Sequence, residues 1–451
     1  MVQPERIRRL NDEWPRGGDY VLYWMQASQR AECNHALEWA VRRADELGQP
    51  TVAVFGLTDK YPEANERHYA FLLEGLRETQ EVLRRRGVQL VVRRAWPALA
   101  ALQLAEQASV LVTDRGYTRH QKAWRRHVAK EAPCQAVQVE SEVIVPVETA
   151  SDKQEYAAAT LRPKLHRHLK RYLVPLEQGG PKRDSLGLRF ESVVLDDVDA
   201  LLGGMSIDRT ARRVKAFVGG GSEANRLLQA FIAKKLQHYA SRRNDPSLDI
   251  QSHQSPYLHF GQTSALLIAL KVAGARGVPQ AAKDAYLEEL IVRRELAVNF
   301  VHYNPQYGGY ACLPDWARRT LEEHGDDVRP AVYTLRQLEG AETGDRYWNA
   351  AMREMLLTGK MHNYMRMYWG KKILEWSGRP EQAFRTLLYL NNKYFLCGRD
   401  PNGWANVAWC FGLHDRPWKE RPVFGKVRYM NAAGLERKFD MSGYLRKVEP
   451  L

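Results

Sequence analysis

Cysteine is scarce in this chain and forms no pattern. The five present, Cys33, Cys134, Cys312, Cys397 and Cys410, are scattered and include no CxxC pair. That argues against a disulfide scaffold and a cysteine zinc site. HExxH is also missing, so no metal is expected. No apolar run approaches the ~20 residues a membrane-spanning helix needs, so no membrane partner is expected. The opening stretch MVQPERIRRLNDEWPRGGDY has charges but no apolar centre. It does not read as a secretory signal, and the cytoplasm is the expected compartment. Nothing repeats at a fixed period.

The chain does have length, aromatics and positive charge. Its 451 residues favour two domains or more. With 44% hydrophobic and 10% aromatic residues it can build packed cores. The balance of 67 basic against 53 acidic residues leaves a net charge of +14, which favours a polyanionic partner.

Short apolar runs and helical patterns alternate at first. YVLYWMQ (20–26), TVAVFGL (51–57), VQLVVR (88–93) and SVLVTD (109–114) read as buried strands. ALEWAVRRADEL (36–47) and HYAFLLEGLRETQEVLRRRG (68–87) read as helices between them. Such alternation means βαβ units and a parallel sheet, with ligands beyond the carboxyl ends of its strands. There is no GxGxxG after the first strand, so an ordinary dinucleotide site is not indicated. Residues 151–215 are richer in polar turns and carry a basic helix, LRPKLHRHLKRYL (161–173), which reads as a connector. From about 220 onward the pattern is helical. The expected organisation is residues 1–148 as an α/β domain, 149–215 as a linker and 216–451 as an all-α domain.

Several segments carry candidate chemistry. FVGGGSEANRLL (217–228) reads as a helix cap more readily than as a phosphate cradle, because no strand precedes it. In RRNDPSLDIQSHQSPYLHFGQTS (242–264), Ser252, His253, Gln254 and Ser255 could offer several donors to a diphosphate; a solvated turn is the plainer reading. In YLEELIVRRELAVNF (286–300), Glu289 and Arg293 stand four apart, the spacing of a helical ion pair. MHNYMRMYWGKKILEW (361–376) places Trp369 and Trp376 two turns apart, about 10.5 Å along a helix axis. An aromatic stripe at that spacing is most often core. Arg366, Lys371 and Lys372 in the same helix require negative or polar partners if it is buried. LNNKYFLCGRDPNGWANVAWCFGLHDRPW (390–418) reads as an irregular, functional loop around its tryptophans.

Together YVLYWMQ, EYAAATLRPK (155–164), SPYLHFGQ (255–262), YLEELIVRRELA, MHNYMRMYWGKKILEW and GRDPNGWANVAWCFGLHD (398–415) closely resemble class II cyclobutane pyrimidine dimer photolyases of the photolyase/cryptochrome superfamily. The resemblance runs from about Tyr20 to Tyr444. It implies a Rossmann-like α/β antenna domain, a long linker and a helical domain that binds FAD. It also implies a monomeric carbon–carbon lyase that uses light to split pyrimidine dimers flipped out of double-stranded DNA. An antenna chromophore such as 8-hydroxy-5-deazaflavin is a further expectation, weakened because QASQRAECN departs from the commoner family pattern.

By the same resemblance Tyr239, Ser252, His253, Gln254 and Ser255 border the FAD diphosphate. Arg294, Asn299, Arg366, Asp400 and Asn402 look toward the cofactor, and Asn391 matches the asparagine facing flavin N5. Glu289 matches the acid that hydrogen-bonds the dimer, with Met367, Trp409 and Arg293 in the lesion pocket. Trp369, Trp348 and Trp376 resemble the family's electron-transfer route, with Tyr333 as an accessory. One departure stands out: Cys397 occupies the place of a usual Asp and leaves Arg366 without its expected partner. Two other readings share some of these features. A cryptochrome-like light sensor would keep FAD without repair, and a non-catalytic DNA-binding protein would be colourless.

Overall fold

The computed structural model describes residues 2–451. Its N-terminal part is built on a six-stranded sheet of order β1-β6-β5-β2-β3-β4. The strands are β1 Ile7–Arg9, β2 Tyr20–Trp24, β3 Thr51–Leu57, β4 Gln89–Arg94, β5 Ala108–Asp114 and β6 Gln135–Val139. All neighbours pair in parallel except β1 with β6. Strands β2, β3 and β5 are buried along their whole length, as a sheet covered on both faces requires. Alternation along β2 divides the two cores. Val21 and Tyr23 pack with helices α1 (His35–Leu47) and α2 (Glu66–Arg85). Leu22 and Trp24 pack with α3 (Pro97–Ala105) and α4 (Arg119–Glu131).

The sequence pattern did not single out β1, β6, α3 or α4. β1 is a three-residue, largely exposed edge, and α4 is polar on most of its surface with only Trp124, Arg125 and Val128 buried. Neither gives a strong periodic signal.

The segment after the sheet covers the β4 edge. Val193 donates to Val92 O at 2.8 Å, and Val92 N donates to Ser192 Oγ at 2.9 Å. A strand edge closed this way offers no free ladder to another chain. The basic helix is present as Ala158–Tyr172. Beyond it the chain is helical, and among the described residues no helix is long and apolar enough to cross a membrane.

The triple glycine does start a helix, Gly221–Lys234, with Gly220 at φ 134°. Its amides are already occupied: Glu74 accepts from Gly219 N at 2.6 Å and Glu78 from Ser222 N at 2.7 Å. Carboxylates at a helix N-terminus leave no cradle for phosphate. The GRDPNGW segment is not irregular. Pro401–Cys410 is a helix, N-capped by Asp400, whose Oδ1 accepts from Gly403 N at 2.6 Å. An Asp cap followed by proline is a helix start, and the density of turn formers concealed it.

Candidate functional site

A cavity of about 610 Å³ opens in the helical part. Its wall combines the loop before Ser255–His259, the helix around 286–303, the helix Asn363–Trp376, and the helix Pro401–Cys410.

On the loop side, Tyr239, Ser252, His253, Gln254 and Ser255 all border the cavity. Ser252 Oγ accepts from Tyr286 OH at 2.9 Å. Gln254 Nε2 donates to Ala224 O at 3.0 Å and fixes the loop to the helix Gly221–Lys234. Its Oε1 is buried without a partner. His253 has φ 58°, a left-handed backbone that holds its ring against Asp249.

A π-helical turn spans Glu288–Arg293 and runs directly into the helix Arg294–Tyr303. It overturns the expected Glu289–Arg293 pair. With five residues closing each backbone ring, Arg293 comes over Glu288 at 3.4 Å. Glu289 pairs instead with Arg243 at 2.9 Å, and both line the cavity. Arg293 and Arg294 border it too. Arg294 Nη1 donates to Glu142 O at 2.6 Å, which ties this wall to the N-terminal part. Glu295 is buried and accepts from Ile144 N at 2.6 Å; burial pushes its carboxyl up to about 7.

Asn299 does not line the cavity, contrary to its expected place facing the cofactor. Its Oδ1 accepts from Glu155 N at 2.7 Å and its Nδ2 donates to Lys153 O at 2.9 Å. Both ends of the amide are therefore committed to the connector.

Arg366 borders the cavity with its guanidinium 3.6 Å from the Phe395 ring centroid. Nη2 donates to Asn391 Oδ1 at 3.1 Å and lies 3.7 Å from Cys397 Sγ. Its Nε is buried without a partner. Asn391 is itself absent from the cavity wall; its Nδ2 donates to Asn392 Oδ1 at 2.8 Å. It therefore reaches the site through Arg366. Asp400 and Asn402 line the cavity, and burial raises the Asp400 carboxyl above its ordinary range.

At the other end Met367 and Trp409 line the wall. Three basic residues that sequence reasoning did not single out, Arg243, Lys360 and Arg428, also border the cavity. Arg428 sits over Trp409 at 5.6 Å and over Trp418 at 5.0 Å, and Arg243 holds Glu289. Arg243 belongs to the basic turn RRNDP, a signal that was visible; Arg428 has no local motif.

The remaining cations of helix Asn363–Trp376 are answered locally. Lys371 Nζ donates to Cys410 O at 2.6 Å, and Lys372 pairs with Glu375 at 2.5 Å. The tryptophans form an array beside the cavity. Phe395, on the wall, contacts Trp369 edge-on at 6.1 Å. Trp369 stacks on Trp348 at 6.3 Å, Trp348 meets Trp376 at 5.5 Å, and Trp376 meets the half-buried Tyr333 at 5.0 Å.

A second cavity, of about 70 Å³, lies near the carboxyl ends of β2 and β3, bordered by Trp24, Phe55, Tyr61, Trp124 and Arg399. Tyr61 meets His120 and Trp124 edge-on at 4.8 and 5.8 Å.

A family model described as DNA photolyase matches residues 21–182. The chain is 52% identical to the deoxyribodipyrimidine photo-lyase of Methanothermobacter thermautotrophicus, over 100% of this chain and 99% of that one. It is 38% identical to the Arabidopsis thaliana protein of the same name, over 100% and 94%, and 38% identical to that of Potorous tridactylus, over 95% and 81%. Among solved structures, a class III photolyase from Agrobacterium tumefaciens superposes with a TM-score of 0.75 at 19% identity, covering 96% of this chain and 87% of that one. At that identity the likeness speaks for the fold alone.

Proposed function

The chain belongs to the DNA photolyase family, and on that premise we propose that it repairs cyclobutane pyrimidine dimers in DNA under light, as a class II enzyme with FAD as its catalytic cofactor. One observation carries the reading. The lesion-side residues Glu289, Arg293, Met367 and Trp409 and the polar loop Ser252–Ser255 border the same 610 Å³ cavity.

The residues fit FAD. The volume lies within the range of cofactor sites. Polar atoms left without partners, Gln254 Oε1 and Arg366 Nε, belong to residues on its wall. Ser252–Ser255, Arg294, Arg366, Asp400 and Asn402 would hold it. When bound, FAD supplies an electron that light drives into the dimer and that returns once the ring has split.

This chain's residues do the rest. Glu289, fixed by Arg243, presents a carboxyl to the edges of the flipped-out dimer. Trp409 offers a ring face on which an extruded pyrimidine stacks. A dimer pairs poorly, so extruding it costs less than extruding an intact base. The net charge of +14 attracts the phosphate backbone. Arg366, with no carboxylate within ion-pair distance among the described residues, offers positive charge to an anionic cofactor ring. The array from Trp369 through Trp348 to Trp376 offers an electron route between the cavity wall and Tyr333.

We assign residues 1–148 to an α/β antenna domain, 149–215 to the linker and 216–451 to the domain binding FAD and lesion. The working unit proposed with it is a monomer. The 70 Å³ cavity does not fit a tricyclic antenna such as 8-hydroxy-5-deazaflavin as it stands, since such ligands need roughly 300 Å³ or more.

The test is to purify the chain, record its near-ultraviolet and blue absorption, and illuminate it with dimer-containing oligonucleotide under reducing conditions. Bound flavin and light-dependent loss of dimer are expected. A colourless protein would remove the flavoenzyme reading, and flavin without dimer loss would move the chain to the sensor class.

A further inference from the structure

Lys360 has no place in the sequence reading, yet it borders the cavity beside Ser252–Ser255. Its ammonium donates to His253 Nδ1 at 2.5 Å. His253 can accept there because its Nε2–H is directed to Asp249 Oδ1 at 2.7 Å. Asp249 in turn takes Lys235 at 2.6 Å. Burial pushes His253 down to about 4, so the ring is neutral near pH 7 and serves as an acceptor.

This chain of contacts orients the ammonium without neutralising it. Among the described residues only one of its three N–H donors has a hydrogen-bond partner, a neutral ring nitrogen. Among the described residues no carboxylate lies within ion-pair distance; Asp249 is reached only through His253. The Phe217 ring centroid is 6.0 Å away. Burial without a counter-ion disfavours the charged form, and the amine is pushed down to about 8. A cation held against a polar cavity wall with donors to spare is a site for an anion. The neighbouring hydroxyls extend it: Ser252 Oγ is oriented by Tyr286 OH, and Ser255 stands at the start of its short helix. The left-handed backbone at His253 is the strained element that puts its ring between Asp249 and Lys360.

We propose that Lys360 binds the diphosphate of the dinucleotide cofactor and that His253 and Asp249 hold it in position to do so. The proposal rests on the reading of this cavity as the FAD site.

The test uses the full chain freed of flavin, titrated with FAD and with riboflavin, which has the ring system but no phosphate. Wild-type protein should bind both. Lys360→Met should weaken FAD by about 10- to 100-fold, the worth of one charge-assisted hydrogen bond, and leave riboflavin within about twofold. Lys360→Arg should restore most of the FAD affinity. Undiminished FAD binding by Lys360→Met overturns the proposal. Equal loss of FAD and riboflavin also overturns it, because the lysine would then be structural. Wild-type protein that binds neither flavin sinks the FAD reading itself, a result distinct from both.

Discussion

Trp348 donates its indole Nε1–H to the backbone carbonyl of Trp369 at 3.0 Å, and the two rings lie 6.3 Å apart at an interplanar angle of 17°. The hydrogen bond fixes the orientation of one indole against the other. Both are fully buried, Trp348 at 0% and Trp369 at 1% exposure, so the stack is part of the core as well as a link in the array. A link at the cavity end should matter for filling the flavin with electrons and not for using them.

Trp369→Phe should therefore slow photoreduction of oxidised flavin by tenfold or more, on the order of the barrier change that loss of one relay produces. Repair by enzyme reduced beforehand should stay nearly unchanged. Flavin absorbance under illumination and dimer loss in single turnovers read the two separately. Equal loss of both would make Trp369 a packing residue only.

Cys397→Asp puts a carboxylate beside Arg366, whose Nη2 lies 3.7 Å from the present sulfur. The new pair offsets the arginine's field at the cavity. An anionic reduced flavin is then less favoured, and the midpoint potential should fall by roughly 60 mV, a tenfold change for a one-electron couple. Spectroelectrochemical titration measures it; a potential that rises or stays put would show that Arg366 does not act on the flavin.

Glu289→Gln keeps the shape of the side chain but removes the charge paired with Arg243 at 2.9 Å. Dimer repair per absorbed photon should fall severalfold, with a loss of about 1–2 kcal/mol in dimer stabilisation, as for hydrogen bonds to a charged group. Flavin content and photoreduction should be unaffected. Loss of flavin from this variant would place Glu289 on the cofactor instead.

Arg428→Ala removes a cation held over Trp409 and Trp418 at 5.6 and 5.0 Å. If it meets a phosphate, DNA binding should weaken for damaged and undamaged duplex alike. The slope of log K against log salt should drop by about 0.9, the value for one phosphate contact. An unchanged slope would rule out the phosphate role.

Glu295 sets a pH dependence of stability. Burial raises its carboxyl to about 7, so the folded chain holds a proton there that the unfolded chain releases near 4.5. Stability should accordingly fall as pH rises between those two values and level off above 7, by about 3 kcal/mol at most. Glu295→Gln should flatten that part of the curve in chemical denaturation at several pH values. A wild-type curve that already matches the variant's would mean the carboxyl is not perturbed.

Much of the fold could be read along the chain, for local reasons. β2, β3 and β5 are continuous apolar runs because a parallel sheet buries both faces, and such runs are visible without partners. The long helices showed their periodicity. The reading failed where signals were short or in conflict. The helix Pro401–Cys410 was hidden by the Asp, Pro, Asn and Gly that start it. The Glu289–Arg293 spacing was valid for an α-helix, but a π-helical turn changed which residues face each other.

The sequence by itself determined the residue types: a basic chain, a parallel sheet followed by helices, and the motifs that resemble a photolyase. Their partners were decided only by tertiary structure, because charge and ring contacts depend on distances between elements far apart in the chain. Trp369 and Trp376 lie two turns apart on one helix, and it is Trp348, from the helix Arg346–Thr358, that fills the gap between them. Asn299 and Asn391 were drawn to other partners, while Lys360, unremarkable in sequence, came to face the cavity because His253 and Asp249 converge on it from another segment.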